Sequence, residues 1–129
     1  MNAYRRLDPR YEAPNQVKAS AIDRSSMVRI PLGNRRSARI EVRSIAPDAN
    51  PYMAIYALLR VGLEGPLPTD PRVREGLSVL PDNIYDAIER FRADEFVREI
   101  LGPEVHERYL EQKMAQAERC PRLLGTLIK

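Results

Sequence analysis

The chain has 129 residues, of which 21 are basic and 18 acidic, giving a formal net charge of +3. This length suits one domain with a single core, and the interspersed charges support nucleic-acid binding only through local arginine clusters. One cysteine and one histidine exclude an internal disulfide framework and a zinc site built from cysteine and histidine. Without a long apolar run or a secretory signal, the sequence predicts a cytoplasmic protein that does not cross a membrane.

An irregular segment is predicted for residues 1–23, because they show no sustained hydrophobic period and two prolines interrupt them. Segments of this kind often carry functional residues. Hydrophobic alternation then begins, with Val28, Ile30 and Leu32 on one face of a predicted strand. Gly33-Asn34 supplies turn chemistry at the end of that strand.

A second strand is predicted over residues 37–43, again from alternation. Its apolar face carries Ala38, Ile40 and Val42, and its charged face carries Arg39, Glu41 and Arg43. The two strands and the turn predict an antiparallel hairpin that brings Arg29 alongside the charged face. Such a face is most often a self-paired, solvated surface; the functional alternative is an anion-binding face whose carboxylate ligates a hard metal ion.

Helices are predicted over most of residues 50–119. Asn50-Pro51 is a typical helix start, and apolar residues at helical spacing continue to about Leu63. Later helices are predicted to start at the capping residues Asn83 and Asp94, and a last one runs from Glu104 to about Arg119. The predicted fold class is therefore α+β, with an antiparallel hairpin or small sheet followed by a cluster of three to four helices.

A loop, the C-terminal tail, the histidine and the cysteine are predicted to have structural rather than functional roles. Residues 65–80 predict a loop with one short helical turn near Val73, and the apolar tail at residues 123–128 is predicted to pack on another surface. His106 lies in a polar stretch and is predicted at the surface rather than at a ligand site. Cys120, which precedes Pro121, is predicted to be a helix-end residue.

Four motifs follow one another in a fixed order: Tyr11-Glu12-Ala13-Pro14, Asp23-Arg24-Ser25, Arg39-Ile40-Glu41-Val42-Arg43 and Asn50-Pro51-Tyr52. Together they resemble the C-terminal part of the catalytic domain of glutamine synthetase, and the similarity covers essentially residues 2–118. The resemblance implies that residues 1–129 are a partial catalytic domain. Its expected parts are a flap segment (1–23), a hairpin (24–46) and a helical part (50–119).

The resemblance implies catalytic and substrate-binding roles for four residues. Glu12 resembles the flap glutamate that closes over the site and shields the acyl-phosphate intermediate, and Arg24 is implied to act with it in catalysis. Arg6 and Arg43 resemble the arginines that bind the carboxylates of substrate glutamate. A closing loop suits this chemistry because it excludes water, which hydrolyses an activated acyl phosphate.

Nucleotide and metal binding are implied for the strand residues. Arg24, Arg29 and Arg39 resemble the arginines around the ATP phosphates and the transferred phosphoryl group. Glu41 resembles a ligand of a divalent metal, Mg²⁺ or Mn²⁺. Phosphoryl transfer to a carboxylate concentrates negative charge, which guanidinium groups and metal ions stabilise.

The implied activity is the ATP-dependent ligation of ammonia to glutamate through γ-glutamyl phosphate. Because the match begins at Met1, we expect a C-terminal fragment that is inactive alone and that joins a homo-oligomer or a complementary N-terminal chain. A fragment of a ligase for polyamines or other amines, and a non-catalytic interaction module derived from the family, are the alternatives. Nucleic-acid binding rests on the arginines alone and is not expected.

Three positions depart from the family pattern. Asp23 stands where the family commonly has asparagine, Arg10 replaces a usual glycine near the flap, and the turn at Gly33-Asn34 is shorter than in many members. We therefore expect altered flap mobility and altered geometry around the phosphates.

Overall fold

The computed structural model describes residues 2–8, 10–65 and 79–119. These ranges contain a 3₁₀ helix, three strands and four α-helices, which confirms the predicted α+β class. The elements are the 3₁₀ helix Asn2–Leu7, β1 (Gln16–Ser20), β2 (Ser26–Arg29), β3 (Glu41–Val42), α1 (Pro51–Glu64), α2 (Ile84–Ala93), α3 (Glu95–Leu101) and α4 (Pro103–Arg119). The expected helical turn near Val73, the apolar tail and Cys120 lie outside the described residues.

The described residues form two compact units. One unit contains residues 2–55 and 79–82, and therefore includes the sheet and the start of α1. The other contains residues 56–65 and 83–119, and therefore includes the rest of α1 and the other three helices. None of the helices in the described ranges is both long enough and apolar enough to cross a membrane.

The sheet has the order β1-β2-β3. β2 and β3 pair antiparallel, with Val28 opposite Val42 and Arg29 opposite Glu41, as a hairpin requires. Both strands are shorter than the alternation predicts. β2 ends two residues before Pro31, whose backbone has no N–H to give to a ladder.

β1 and the 3₁₀ helix lie in the segment that the sequence predicts to be irregular, so that prediction is wrong for residues 2–7 and 16–20. β1 pairs parallel with β2 although only residues 21–25 connect them. Parallel strands usually need a much longer crossover. Here a tight turn reverses the chain after β1, and the Ser20 hydroxyl stabilises that turn by accepting from the backbone N–H groups of Ile22 and Asp23.

Local capping explains why the helices begin where the sequence predicts. The Asn50 side chain accepts from the backbone N–H of Tyr52, in the first turn of α1, at 3.0 Å. Asn83 and Asp94 accept in the same way at the starts of α2 and α3. Gly102, with φ of 80°, separates α3 from α4 in a backbone conformation that favours glycine.

The core of the helical unit contains five buried apolar side chains: Ile84, Ile88, Ile100, Leu110 and Ala117. His106 is buried with them at 3% exposure, so the prediction of a surface histidine is wrong. Its ring stacks on Phe91 with the centroids 4.7 Å apart, and its Nε2 lies 2.9 Å from the Phe91 carbonyl oxygen. That carbonyl belongs to the last turn of α2 and has no partner within the helix, so the imidazole N–H supplies one.

Apolar faces of the hairpin and of α1 remain exposed among the described residues. Ile30, Leu32 and Ile40 of the predicted apolar hairpin face are 48%, 85% and 68% exposed, and α1 contains no buried residue. The predicted spacing is present in both elements, but the burial that it implies is not. The Tyr56 hydroxyl anchors α1 in the helical unit by donating to the Ile100 carbonyl at 2.7 Å.

Candidate active site

Glu12 lies near the tip of a loop, which we call the Glu12 loop (residues 8 and 10–14). The ends of this loop are buried: Leu7 is 8% exposed and Asn15 is 9% exposed. The Asn15 side-chain amide donates to the Leu7 carbonyl at 3.4 Å and so holds the two ends together. The sequence does not identify Asn15, because the strand that follows it, β1, has no sequence signal either.

The tip of the Glu12 loop reaches the connection between β1 and β2. Nη1 of Arg24 donates to the Glu12 carboxylate at 3.0 Å, which brings together the two residues that the resemblance assigns to catalysis. Both side chains are more than two-thirds exposed, at 75% and 71%. A pair this exposed contributes little to stability, so either side chain can change partner when a ligand arrives.

Arg29, Arg39 and Glu41 form a second charged group, which we call the Glu41 cluster. The strand register explains it, because Arg29 lies opposite Glu41 and Arg39 lies two residues earlier on the same face. Arg39 donates to Oε1 of Glu41 from Nε at 2.9 Å and contacts the same oxygen through Nη2 at 2.7 Å. Arg29 contacts both oxygens, because its Nε lies 2.8 Å from Oε2 and its Nη2 donates to Oε1 at 3.3 Å.

The Glu41 carboxyl stays charged in this cluster. Partial burial disfavours the charge, but the hydrogen bond from Arg39 and the charges of Arg29 and Arg39 outweigh that effect and lower the pKa of Glu41. The 2.8 Å contact of Arg29 is ionic without being a well-aligned hydrogen bond, and its buried Nε–H has no aligned acceptor among the described residues.

Arg6 and Arg43 bind backbone carbonyls in this structure. Arg6 donates to the Ile45 carbonyl at 2.7 Å and to the Arg43 carbonyl at 3.3 Å. Arg43 in turn donates to the Arg24 carbonyl at 2.6 Å. Arginine contacts thus link the 3₁₀ helix, the end of β3 and the connection that carries Arg24.

Asp23 and Lys18 stabilise the connection between β1 and β2 through hydrogen bonds and an ion pair. The Asp23 carboxylate accepts from the backbone N–H of Ser25 at 2.8 Å and from its hydroxyl at 2.7 Å, and lies 2.6 Å from the Lys18 ammonium. The contact with Lys18, followed by those with Ser25, lowers the pKa of Asp23 well below its ordinary value. An asparagine at this position keeps the turn but not the ion pair, so the aspartate adds a tether between β1 and the connection.

Ser26 is fully buried, at 0% exposure, and its hydroxyl has no hydrogen-bond partner within the part of the chain that the structure describes. We expect Ser26→Ala to stabilise the chain by about 1 kcal/mol, because it removes a buried polar group that pays a desolvation cost without a partner. Urea denaturation measures the change. Ser25→Ala is the matched control and is expected to act in the opposite direction, since the Ser25 hydroxyl donates to Asp23. A loss of stability in Ser26→Ala contradicts this account.

The donor chemistry of Glu41 fits one ligand of Mg²⁺ or Mn²⁺, since both ions prefer carboxylate oxygens. Across the described residues there is no group of three or more histidine, cysteine, aspartate or glutamate side chains that could hold a metal ion. Glu41 therefore fits a metal site to which other ligands come from outside these residues. Such a ligand must exchange contacts with Arg29 and Arg39 for the ion.

The fold and the two charged groups define a surface of guanidinium and carboxylate side chains suited to anionic ligands. The family model for the glutamine synthetase catalytic domain matches residues 1–124. The chain belongs to the glutamine synthetase family.

Curated relatives have the same family name. The glutamine synthetase of Staphylococcus aureus strain MW2 is 36% identical over 88% of this chain, and the alignment covers 29% of that relative. The glutamine synthetase of a Staphylococcus epidermidis strain is also 36% identical over the same shares. The chain thus spans less than a third of the length of the curated relatives that it matches.

Proposed function

We propose that this chain forms part of a glutamine synthetase active site, in which ATP drives the ligation of ammonia to glutamate. The observation that carries the proposal is the Glu41 cluster, found in a chain that belongs to the family. In this reaction the γ-carboxylate of glutamate attacks the γ-phosphorus of ATP, and ADP leaves. Ammonia then attacks the acyl carbon of γ-glutamyl phosphate, releasing phosphate and a proton and forming glutamine.

The arginines have distinct proposed tasks. Arg24, Arg29 and Arg39 bind the phosphates of ATP and the transferred phosphoryl group, where guanidinium groups stabilise the charge of the transition state. Arg6 and Arg43 orient glutamate through its carboxylates. Through their contacts with backbone carbonyls, both side chains lie near the connection that carries Arg24. This position supports the assignment.

Glu12 and Glu41 have different proposed tasks. Glu12 closes the site and keeps water from the acyl phosphate, and the exposed tip of its loop is compatible with movement toward a bound substrate. Glu41 is proposed to hold Mg²⁺ or Mn²⁺, which when bound offsets charge on the phosphates. Arg29 and Arg39 keep the carboxylate ionised, and the ion must replace their contacts with it.

The rest of a catalytic domain is proposed to complete the site and to cover the exposed apolar faces. Ile30, Leu32 and Ile40 present apolar surface beside the short β3, and α1 presents more. Exposed surface of this kind marks an interaction site. The covering part belongs either to a complementary N-terminal chain or to a copy in a homo-oligomer, and because the substrates are cytoplasmic metabolites we propose a cytoplasmic location.

A chimera tests the proposal. This chain replaces the matching segment of the Staphylococcus aureus glutamine synthetase, and the product is assayed for glutamine formation that depends on ATP, ammonia and glutamate. We expect an active chimera, and no activity from the 129-residue chain alone. The matched variants are Arg39→Ala, which removes a proposed phosphate ligand, and Arg35→Ala, which alters a neighbouring exposed arginine outside the cluster.

The result distinguishes the proposed reaction from its alternatives. Loss of activity in Arg39→Ala, with Arg35→Ala unaffected, supports the assignment. A chimera that folds and makes no product with ammonia overturns it. Assembly without nucleotide binding indicates a non-catalytic module.

A further inference from the structure

The strongest local contact within the Glu12 loop joins Asp8 and Arg10. Nε of Arg10 donates to Oδ1 of Asp8 at 3.1 Å, and Nη2 donates to Oδ2 at 2.7 Å. The backbone N–H of Arg10 also donates to Oδ1 at 2.9 Å. Both carboxylate oxygens are therefore engaged by one guanidinium group, with a backbone donor added; we call this arrangement the Asp8–Arg10 clip.

The clip lies between the anchored end of the loop and its exposed tip. On one side, Leu7 is buried and is held to Asn15. On the other side, the backbone N–H of Tyr11 donates to the Asp8 carbonyl at 3.1 Å, which continues the same turn toward Glu12. Asp8 is only 22% exposed, whereas the Arg10 side chain is 83% exposed and covers it from outside.

The alternative anchor of the tip is weaker. Glu12 contacts Arg24 through one carboxylate oxygen, and both partners are largely exposed. A planar guanidinium that engages both oxygens gives more directional constraint than a single contact between two long exposed side chains. A glycine at position 10 has no side chain to make the clip and gives the loop more backbone freedom.

We propose that Asp8 and Arg10 are positioning residues that hold the loop carrying Glu12 in one conformation. Ordering the loop in advance lowers the entropy that must be lost when it closes over a substrate. The importance of this ordering for catalysis rests on the proposed function of Glu12. The ordering itself is a property of this chain that can be measured without any substrate.

Hydrogen exchange of the backbone amides in the 129-residue chain tests the ordering. In Arg10→Gly we expect the Tyr11 amide to exchange about three- to fivefold faster, since the contacts are charge-assisted but screened by solvent. Arg10→Lys keeps the charge without the planar fork and is expected to restore only part of the protection. Asp8→Asn keeps an acceptor for the Arg10 N–H but loses the ion pair, and is also expected to be intermediate.

Arg35→Gly is the matched control, because Arg35 is likewise an exposed arginine in a turn. It should leave exchange at Tyr11 unchanged. Equal exchange in the wild-type chain and in Arg10→Gly overturns the proposal. So does faster exchange in Arg35→Gly of the same size, because the effect is then general rather than local.

Kinetics of the chimera test whether the clip matters for catalysis, because a purely structural role of the clip leaves kcat unchanged. If the clip positions Glu12, Arg10→Gly lowers kcat about threefold or more while KM for ATP stays constant, and Arg10→Lys recovers part of kcat. An unchanged kcat together with faster exchange overturns positioning for catalysis. An inactive chimera counts against the proposed function alone, because the exchange experiment still decides whether the clip orders the loop.

Discussion

Replacing Glu41 with glutamine is expected to reduce the activity of the chimera on the order of 100-fold. Glutamine has nearly the same shape, but it lacks the charge that faces Arg29 and Arg39 and that a divalent ion prefers. Two guanidinium groups are then left without their shared carboxylate. Both the geometry of the phosphate-binding arginines and the binding of the metal should suffer.

Manganese binding gives the second readout of Glu41→Gln. Electron paramagnetic resonance of Mn²⁺ with the chimera should show weaker binding together with the loss of activity. Glu64→Gln is the matched control, because Glu64 is a glutamate that pairs with Arg60 on α1 and with none of the arginines of the Glu41 cluster. Unchanged Mn²⁺ affinity and activity in Glu41→Gln would falsify the proposed metal role.

Leu110→Ala is expected to lower the free energy of unfolding by about 2–5 kcal/mol. Leu110 is 4% exposed and lies on α4 in the core of the helical unit. The substitution removes buried apolar atoms and leaves a cavity that the surrounding helices fill only in part. Because small domains have total stabilities of about 5–15 kcal/mol, the helical unit should melt at a clearly lower urea concentration.

The matched control for Leu110→Ala is Leu63→Ala on α1, where the side chain is 80% exposed. We expect a change within about 0.5 kcal/mol for that variant. Circular dichroism at the helical minimum follows both unfolding curves. Similar losses in the two variants contradict the account in which burial of Leu110 stabilises the helical unit.

Local chemistry explains the parts of the fold that the sequence predicts well. Asn50, Asn83 and Asp94 cap helices with their own side chains, so each signal lies within four residues of the contact that it makes. β1 carries no such signal. Its hydrogen bonds depend on β2 and on a bridge between Gln16 and Val79, and neither partner can be identified from five residues.

Long-range contacts limit what the sequence predicts about the site. Alternation places Arg39 and Glu41 on one strand face, and pairing with β2 brings Arg29 to them. The contact of Glu12 with Arg24 depends instead on two loops whose paths have no periodic signal. Periodicity also shows that α1 has an apolar side without showing what covers it.

The burial of His106 is difficult to predict because charged residues surround it in the sequence, with Glu104 two positions before it and Glu107 and Arg108 directly after it. Burial becomes evident only when His106, Leu110 and Ala117 are read together as one helix face, with the imidazole counted as an apolar ring that has one polar partner. A histidine can serve in this way because Nε2–H finds an acceptor in the Phe91 carbonyl.

The burial of His106 gives the helical unit an internal reporter of its own opening. The chain contains one histidine, and that ring is enclosed between α4 and Phe91 of α2. Diethyl pyrocarbonate, which acylates accessible imidazole, reaches the ring only when α4 separates from α2. The rate of that acylation therefore records how often the two helices separate.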